Sequence, residues 1–385
     1  MKSKLSSLAL PRGTALLLCL PMLLLSSLLL SGGQPVRNAQ DGIAIGVTAL
    51  FFNVLFYKML SSGKTDRWRA TAFILYAVLL SFTFIVRMFE ARGAMSLSVA
   101  KFIECDVPFC HIVIPMTVLP MALTRSIIFP GQIAGGYASI AAMFVLWLGA
   151  CLVLGRGFCS WVCFFGGWDD GFSRLARTAR IRTVPAVWTL LPFAILLLVA
   201  ISSAALLEPT YCAWLCPFKT VTEFEAVTNV MIFVKTIIFI ALFLGLVIIL
   251  PILTKRRTQC ALFCPMGALT SFANYLNVFD VRSDPARCVQ CGQCARVCPV
   301  FSITPQSLAA GVTRMTCVKC GKCIDACPQQ ALHFHIKGTP PAWNSVMTRV
   351  LFLYVSSLFL TVFAGGTFMD ALRRLMNLIL TGHLY

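Results

Sequence analysis

Acidic residues are scarce in this chain: 14 Asp and Glu in 385 residues, against 32 Lys and Arg. Charge of either sign is thin, at 12% of residues, while 58% are hydrophobic and the mean hydropathy is +0.84. That balance excludes a soluble globular protein, in which about a quarter of residues are charged. No G-x-G-x-x-G, no P-loop and no Ser/Thr-Gly-Ala-Thr stretch occurs, so no nicotinamide or covalent flavin chemistry is read from the sequence. The basic surplus does not gather into one patch of the kind nucleic acid would need; it lies between apolar segments, as positive-inside loops do.

What is present in excess is apolar length. Residues 14–31, Gly42–Leu60, Thr71–Met88, Gly135–Leu154, Val187–Leu207, Val230–Leu253 and Val346–Thr367 can each cross a hydrocarbon core of ~30 Å. The first is read as a retained span, since it is longer than a signal-peptide core and lacks a small-residue cleavage site. The closing stretch Asp370–Tyr385, with Arg373 and Arg374, reads as an interfacial helix. Lys58, Lys64, Arg67 and Arg69 follow span two, Arg156 to Arg182 follow span four, and Lys255, Arg256 and Arg257 follow span six. With the amino terminus inside, these three loops share the cytoplasmic side of the inner membrane.

Cysteine is the second excess, with 18 residues. Eight form two runs of one pattern, C-x₂-C-x₂-C-x₃-C-P: Cys288, Cys291, Cys294, Cys298 and then Cys317, Cys320, Cys323, Cys327. This is the bacterial ferredoxin pattern, in which the fourth cysteine of each run ligates the other [4Fe–4S] cluster. Cluster one is therefore expected on Cys288, Cys291, Cys294 and Cys327, and cluster two on Cys317, Cys320, Cys323 and Cys298. The insert sits after span six, which puts it on the cytoplasmic side. From Asp280 to Pro341 it carries seven Lys and Arg against three Asp, a basic balance suited to its own membrane domain, anionic lipid or an acidic partner.

Four further pairs fall at span ends: Cys105/Cys110, Cys159/Cys163, Cys212/Cys216 and Cys260/Cys264. C-x₃-C on a helical turn puts two thiols on one face. Successive pairs are separated by one span, so they alternate sides. Cys159, Cys163, Cys260 and Cys264 form a candidate inner cluster site; Cys105, Cys110, Cys212 and Cys216 form a candidate outer one. Buried cysteines, or a disulfide for the outer set, are the plain alternatives. Cys19 and Cys151 read as small buried hydrophobes. Lys235 inside span six is a candidate for tuning the outer site or meeting quinone, or a snorkelling lysine. His111, beside Cys110, is a candidate ligand or proton acceptor, or a hydrogen-bonded loop histidine; Glu104 and Asp106 carry the same ambiguity, and His333 and His335 have no assigned role.

Membrane helices with C-x₃-C-P turns at Cys212–Pro217 and Cys260–Pro265, followed by a double ferredoxin run at 288–328, resemble the NapH/NosR/CcoG-type membrane polyferredoxins over roughly residues 135–340. The resemblance implies electron transfer between the quinone pool or a cytoplasmic donor and an extracytoplasmic redox partner. Cys163 departs from the family turn, being followed by Phe164.

The expectation is an all-α polytopic membrane protein of about seven transmembrane helices with an inserted α+β two-cluster ferredoxin domain. Residues 1–278 would be the membrane domain, 279–341 the ferredoxin domain, and 342–385 the last span with its interfacial helix. Two [4Fe–4S] clusters are expected, with one or two more at the membrane cysteines and quinone as an optional ligand. Partners would be lipid and redox subunits such as a multihaem cytochrome or reductase. A quinol dehydrogenase subunit and an assembly factor supplying electrons for metal-centre maturation stand as alternatives.

Overall fold

The structure is a computed structural model and describes residues 8–33, 35–36, 38–94, 111–124, 140–222, 229–340 and 345–382. Six helical stretches among these are long and apolar enough to cross a membrane: Arg12–Leu30, Ala39–Ser62, Phe144–Trp161, Ala186–Leu206, Val230–Thr254 and Ser345–Thr381. The third expected span, Thr71–Met88, is not one of these six; it lies on the 30-residue helix Thr65–Ala94, whose later side chains fall outside the described ones. We label α1 Arg12–Leu30, α2 Ala39–Ser62, α3 Thr65–Ala94, α4 Ile114–Thr124, α5 Ile140–Leu154, α6 Phe164–Leu175, α7 Leu191–Leu206, α8 Val230–Leu242, α9 Pro265–Leu276, α10 Gln293–Val297, α11 Lys322–Ala326 and α12 Ser345–Thr381.

α12 corrects one expectation. Its 37 residues run through Asp370 without a break, ~55 Å at the helical rise, so no separate interfacial helix forms. The basic pair that suggested a stop is neutralised along the helix, Arg374 by Asp370 at 3.2 Å and Arg373 by Asp41 of α2 at 2.8 Å. At the other end, Arg349 is 1% exposed and ties three segments together, donating to the carbonyls of Leu8 and Met59 and to the Thr65 hydroxyl. Outward faces of α1, α7 and α8 are lined by exposed leucine, isoleucine, valine and phenylalanine, as lipid contact requires.

The ferredoxin-type domain is built on one antiparallel pair, β1 (Phe279–Ser283) and β2 (Leu332–Ile336), with Val281 opposite Phe334. Phe279 and Phe334 pack on Phe352 of α12, with ring centroids 5.4 and 4.1 Å away. Its two halves repeat at an offset of 29 residues, down to the backbone. Positive φ recurs at Gln290 and Lys319, at Gly292 and Gly321, and at Phe301 and Gln330. The first two of these pairs bend each cysteine loop just before α10 or α11 begins, and the third follows the helix.

The domain is locked to the membrane helices by polar contacts. Asp325 of α11 accepts from the Thr65 and Asp66 amides at 3.0 and 2.8 Å, capping α3 from outside its own chain segment. Lys319 is 2% exposed and donates to the Leu154 carbonyl at 3.0 Å and to Asn274 Oδ1. Asn274 in turn donates to the carbonyls of Met315 and Cys317. Arg257 N donates to the Pro299 carbonyl at 2.8 Å, and the Arg256 guanidinium donates to the carbonyls of Ala295 and Cys298. The loops bearing Lys64, Arg174 and Lys255 meet here too: Lys64 reaches Asp325, Arg174 pairs with Asp66, and Lys255 donates to the Arg177 carbonyl. Three basic loops and the domain thus occupy one end of the helices.

Candidate iron–sulfur sites

Two cavities in the ferredoxin-type domain sort the eight cysteines. One is lined by Cys288, Cys291, Cys294 and Cys327, the other by Cys298, Cys317, Cys320 and Cys323. Each run therefore contributes its fourth thiol to the other cavity, because Pro299 and Pro328 turn the chain across the pseudo-twofold axis. The turn is fixed by matching amide–sulfur bonds, Ser302 N to Cys298 Sγ and Ala331 N to Cys327 Sγ, both 3.3 Å. Burial raises the thiols of Cys298 and Cys323, and pushes that of Cys320 up to about 12. Four thiols around one apolar cavity, three of them held protonated by burial, with an amide aimed at sulfur, fit a cluster whose iron supplies the missing positive charge. Among the described residues, no three such side chains close in on the spot a single metal ion would occupy.

Cys159, Cys163, Cys260 and Cys264 are all buried in the membrane domain. They come from two turns related by an offset of 101 residues, and the surroundings repeat with them. Arg156 and Arg257 each stand three residues before the first cysteine, and Gly166 and Gly267 three residues after the second. The arginines exchange partners: Arg257 Nη2 donates to the Cys159 carbonyl at 2.6 Å, and Arg156 Nη2 to the Cys260 carbonyl at 2.8 Å. The glycines leave room for them. A Cβ on Gly166 would meet the Cys159 carbonyl at 2.5 Å and the Arg257 guanidinium, and one on Gly267 would meet the Cys260 carbonyl at 2.9 Å and Arg156 Nη2 at 3.1 Å.

Arg257 also donates to Cys260 Sγ at 3.2 Å and to Ser160 Oγ, while Asp169 accepts from the Cys260 amide at 2.8 Å. Both arginines are buried, and the Nε atom of each has no partner among the described residues. Two buried guanidiniums with unused donors beside four thiols suit a net negative cluster. The R-x₂-C-x₃-C-x₂-G repeat is a sequence signal for these residues, although in the sequence alone its arginines look like positive-inside charge.

The Cys260/Cys264 turn folds back along its own helix. Lys255 takes φ 56° and reverses the chain after span six. The Thr258 hydroxyl then donates to the Leu246 carbonyl at 2.7 Å, eight residues before Thr254 and so about 12 Å back into the helices. Irregular backbone at such depth is tolerated where protein groups satisfy it, which is what Arg156, Arg257 and Asp169 do.

This re-entry changes the spacing of the candidate sites. The sequence reading put the two membrane sets near opposite faces; in the structure, Tyr211, beside Cys212, is fully buried and accepts from Gln259 Nε2, beside Cys260, at 3.1 Å. Phe165 and Phe218, two residues beyond Cys163 and Cys216, lie 4.1 Å apart at their ring centroids. Cys212 itself stands on a π-helical turn, Tyr211–Leu215. Cys105, Cys110, Glu104 and Asp106 lie outside the described residues. His111 is buried among Phe158, Phe164 and Phe165, with Nε2 3.0 Å from Cys163 Sγ, so it belongs to the inner set. Lys235 lies over the Trp214 ring at 4.4 Å, within the Cys212/Cys216 turn. His333 and His335 stand on β2, away from both cavities.

The ferredoxin-type domain and the inner set are adjacent. Trp161, between Cys159 and Cys163, is fully buried and donates its indole N–H to the Lys319 carbonyl, between Cys317 and Cys320, at 3.2 Å. Beside it, Arg69 donates to the Ser160 carbonyl and pairs with Asp66 and Asp170 at 2.9 and 2.8 Å. Burial alone would push these two carboxyls up; the guanidiniums of Arg69 and then Arg174 reverse this and hold both below the usual carboxylate range.

Membrane helices that carry further cysteine turns and a docked ferredoxin-type domain define a class of membrane protein with iron–sulfur-type cysteine sites. Comparison with known proteins agrees. A family described as "4Fe-4S dicluster domain" matches residues 280–328, and one described as "4Fe-4S binding domain" matches 137–182, 189–227 and 236–281, one copy for each of the last three membrane cysteine pairs. The relatives include the regulatory protein NosR of Pseudomonas aeruginosa, 30% identical over 181 residues, 44% of this chain and 24% of the relative. They also include the putative electron transport protein YccM of Escherichia coli (27% identical; 44% of this chain, 48% of the relative) and the protein NirI of Paracoccus denitrificans (27%; 42% and 24%). This chain thus resembles the NosR, NirI and YccM kind of membrane protein, and the match spans less than half the length of each. No solved structure matches.

Proposed function

We propose that the protein is an iron–sulfur conduit that carries electrons between a cytoplasmic donor or the quinone pool and an extracytoplasmic redox partner, such as a multihaem cytochrome or reductase. The order would be cluster one, cluster two, the inner set, and then the outer set containing Cys212 and Cys216. The clusters would supply one-electron capacity; the protein would fix their spacing, exclude water and offset their charge with Arg156 and Arg257. The observation that carries the reading is Trp161, which joins the inner cysteine turn to the Cys317–Cys320 loop through one side chain. Three basic loops beside the domain favour the cytoplasmic side of the inner membrane for it.

Iron and sulfide counting with EPR on anaerobically purified protein tests this. More than two clusters' worth of iron is expected, reduced selectively by Cys→Ser changes in the inner set. About eight irons per chain, equal to two [4Fe–4S] clusters, together with freely alkylatable Cys159, Cys163, Cys260 and Cys264, would refute it.

A further inference from the structure

The 29-residue repeat gives every surface position of one ferredoxin half a counterpart in the other. In the second half that surface is covered: Val318 is 1% exposed, Cys320 and Gly321 are buried, and a Cβ on Gly321 would meet Thr65 at 2.9 Å. In the first half the same loop is open. Val289 is 62% exposed, and Gln290 and Cys291 are exposed.

The charge on the two faces differs as well. Asp325, the acid that grips the amino end of α3, has Arg296 as its counterpart, and buried Thr316 has Arg287. Both arginines are exposed, and Arg296 Nη2 reaches the Cys291 carbonyl at 3.3 Å, which leaves its charge at the loop. The three acids of the domain are engaged elsewhere: Asp280 with Arg282, Asp325 on α3, and Asp284 with the Ala286 amide. An open cluster loop flanked by two arginines, with the shape of a loop that is docked in the other half, calls for an anionic partner.

We infer that the Cys288–Cys294 face is the docking surface of a soluble, acidic one-electron carrier protein, which sets carboxylates against Arg287 and Arg296 and its redox centre over Cys291. The inference rests on the electron-transfer reading above. In the step, one electron leaves the carrier's reduced centre and enters the cluster held by Cys288, Cys291, Cys294 and Cys327; no bond or proton changes hands. Cluster one faces the carrier while cluster two faces the membrane helices, so the two halves divide intermolecular from intramolecular transfer.

The test uses the full chain in nanodiscs, with a reduced acidic 2[4Fe–4S] ferredoxin as the probe, followed by stopped-flow absorbance. The wild-type rate should fall as ionic strength rises. At low salt, Arg287→Gln should lower it roughly threefold and Arg287→Glu roughly tenfold, with a flatter salt dependence, from about 0.2–1 kcal/mol per exposed charge pair. Arg296→Gln should act in the same direction. Photoreduction by a deazaflavin, which needs no docking, and the EPR signals should be unchanged, which separates lost docking from lost folding. Rates indifferent to salt and to both arginines would overturn the inference. So would an effect seen in anionic but not zwitterionic nanodiscs, which would assign the face to lipid headgroups. Wild-type protein without clusters would instead defeat the electron-transfer reading itself.

Discussion

Replacing Asp325 with alanine isolates the contact between the two parts of the molecule. Its carboxylate accepts from two amides that begin α3 and have no earlier helical carbonyl to bond. A hydrogen bond to a charged group contributes about 1.5–3 kcal/mol, and losing a helix cap costs about 0.5–2 kcal/mol. The two bonds share one carboxylate and are not additive, so we expect a loss of about 2–4 kcal/mol, or roughly 30- to 700-fold in the docked population. Hydrogen exchange read by mass spectrometry on the holoprotein in nanodiscs measures it directly. The peptide covering Thr65 and Asp66 should exchange faster by about that factor in Asp325→Ala, and by an intermediate factor in Asp325→Asn, which keeps one acceptor oxygen. Cluster EPR intensity serves as the control, since Asp325 lies between two cluster cysteines in the sequence. If the alanine variant keeps this peptide within about twofold of wild type, a shift of no more than about 0.4 kcal/mol, the docking described above is wrong.

Further outcomes follow from the same geometry. Cys298→Ser should remove the cluster shared with Cys317, Cys320 and Cys323, and Cys327→Ser the other one; EPR that shows each change acting on its own run would refute the crossed arrangement. Gly166→Ala should displace the Arg257 guanidinium and lower iron at the inner set, while the ferredoxin signals persist; full iron retention would show that the site has slack the packing denies. For Asp66 and Asp170, folded pKa values lie below the ordinary carboxylate range, so their pairing with Arg69 and Arg174 is complete above about pH 4 and is lost as pH falls further. Thermal unfolding should therefore show no contribution from these pairs to pH dependence between pH 5 and 8, and Asp170→Asn should lower the unfolding temperature across that window; a slope there that the variant removes would contradict the assignment.

The ferredoxin half of the site was legible because its chemistry is local. Four cysteines within eleven residues leave few ways to fold, and the two cavities are lined by the same crossed sets that the spacing suggests. Six of the seven apolar runs coincide with helices long enough to cross a membrane, while Thr71–Met88 is not among those six, and at Asp370 Arg373 and Arg374 suggested a break that Asp41 removes. The inner membrane set was only partly legible. Its cysteines could be listed, yet the role of Arg156, Arg257, Gly166 and Gly267 depends on two turns 101 residues apart facing each other.

By itself the sequence determined a multi-pass membrane protein with a ferredoxin-type domain and pointed to eight candidate cluster cysteines, since apolar length and cysteine spacing are properties of short segments. Tertiary structure alone decided that the Cys260/Cys264 turn folds back along its helix, that His111 joins Cys163 and that Trp161 touches the ferredoxin loop. It alone also decided which ferredoxin half is buried and which is open. The physical reason is that helix reversal, burial of charge and docking are set by partners far apart in the chain, whose meeting no local pattern encodes.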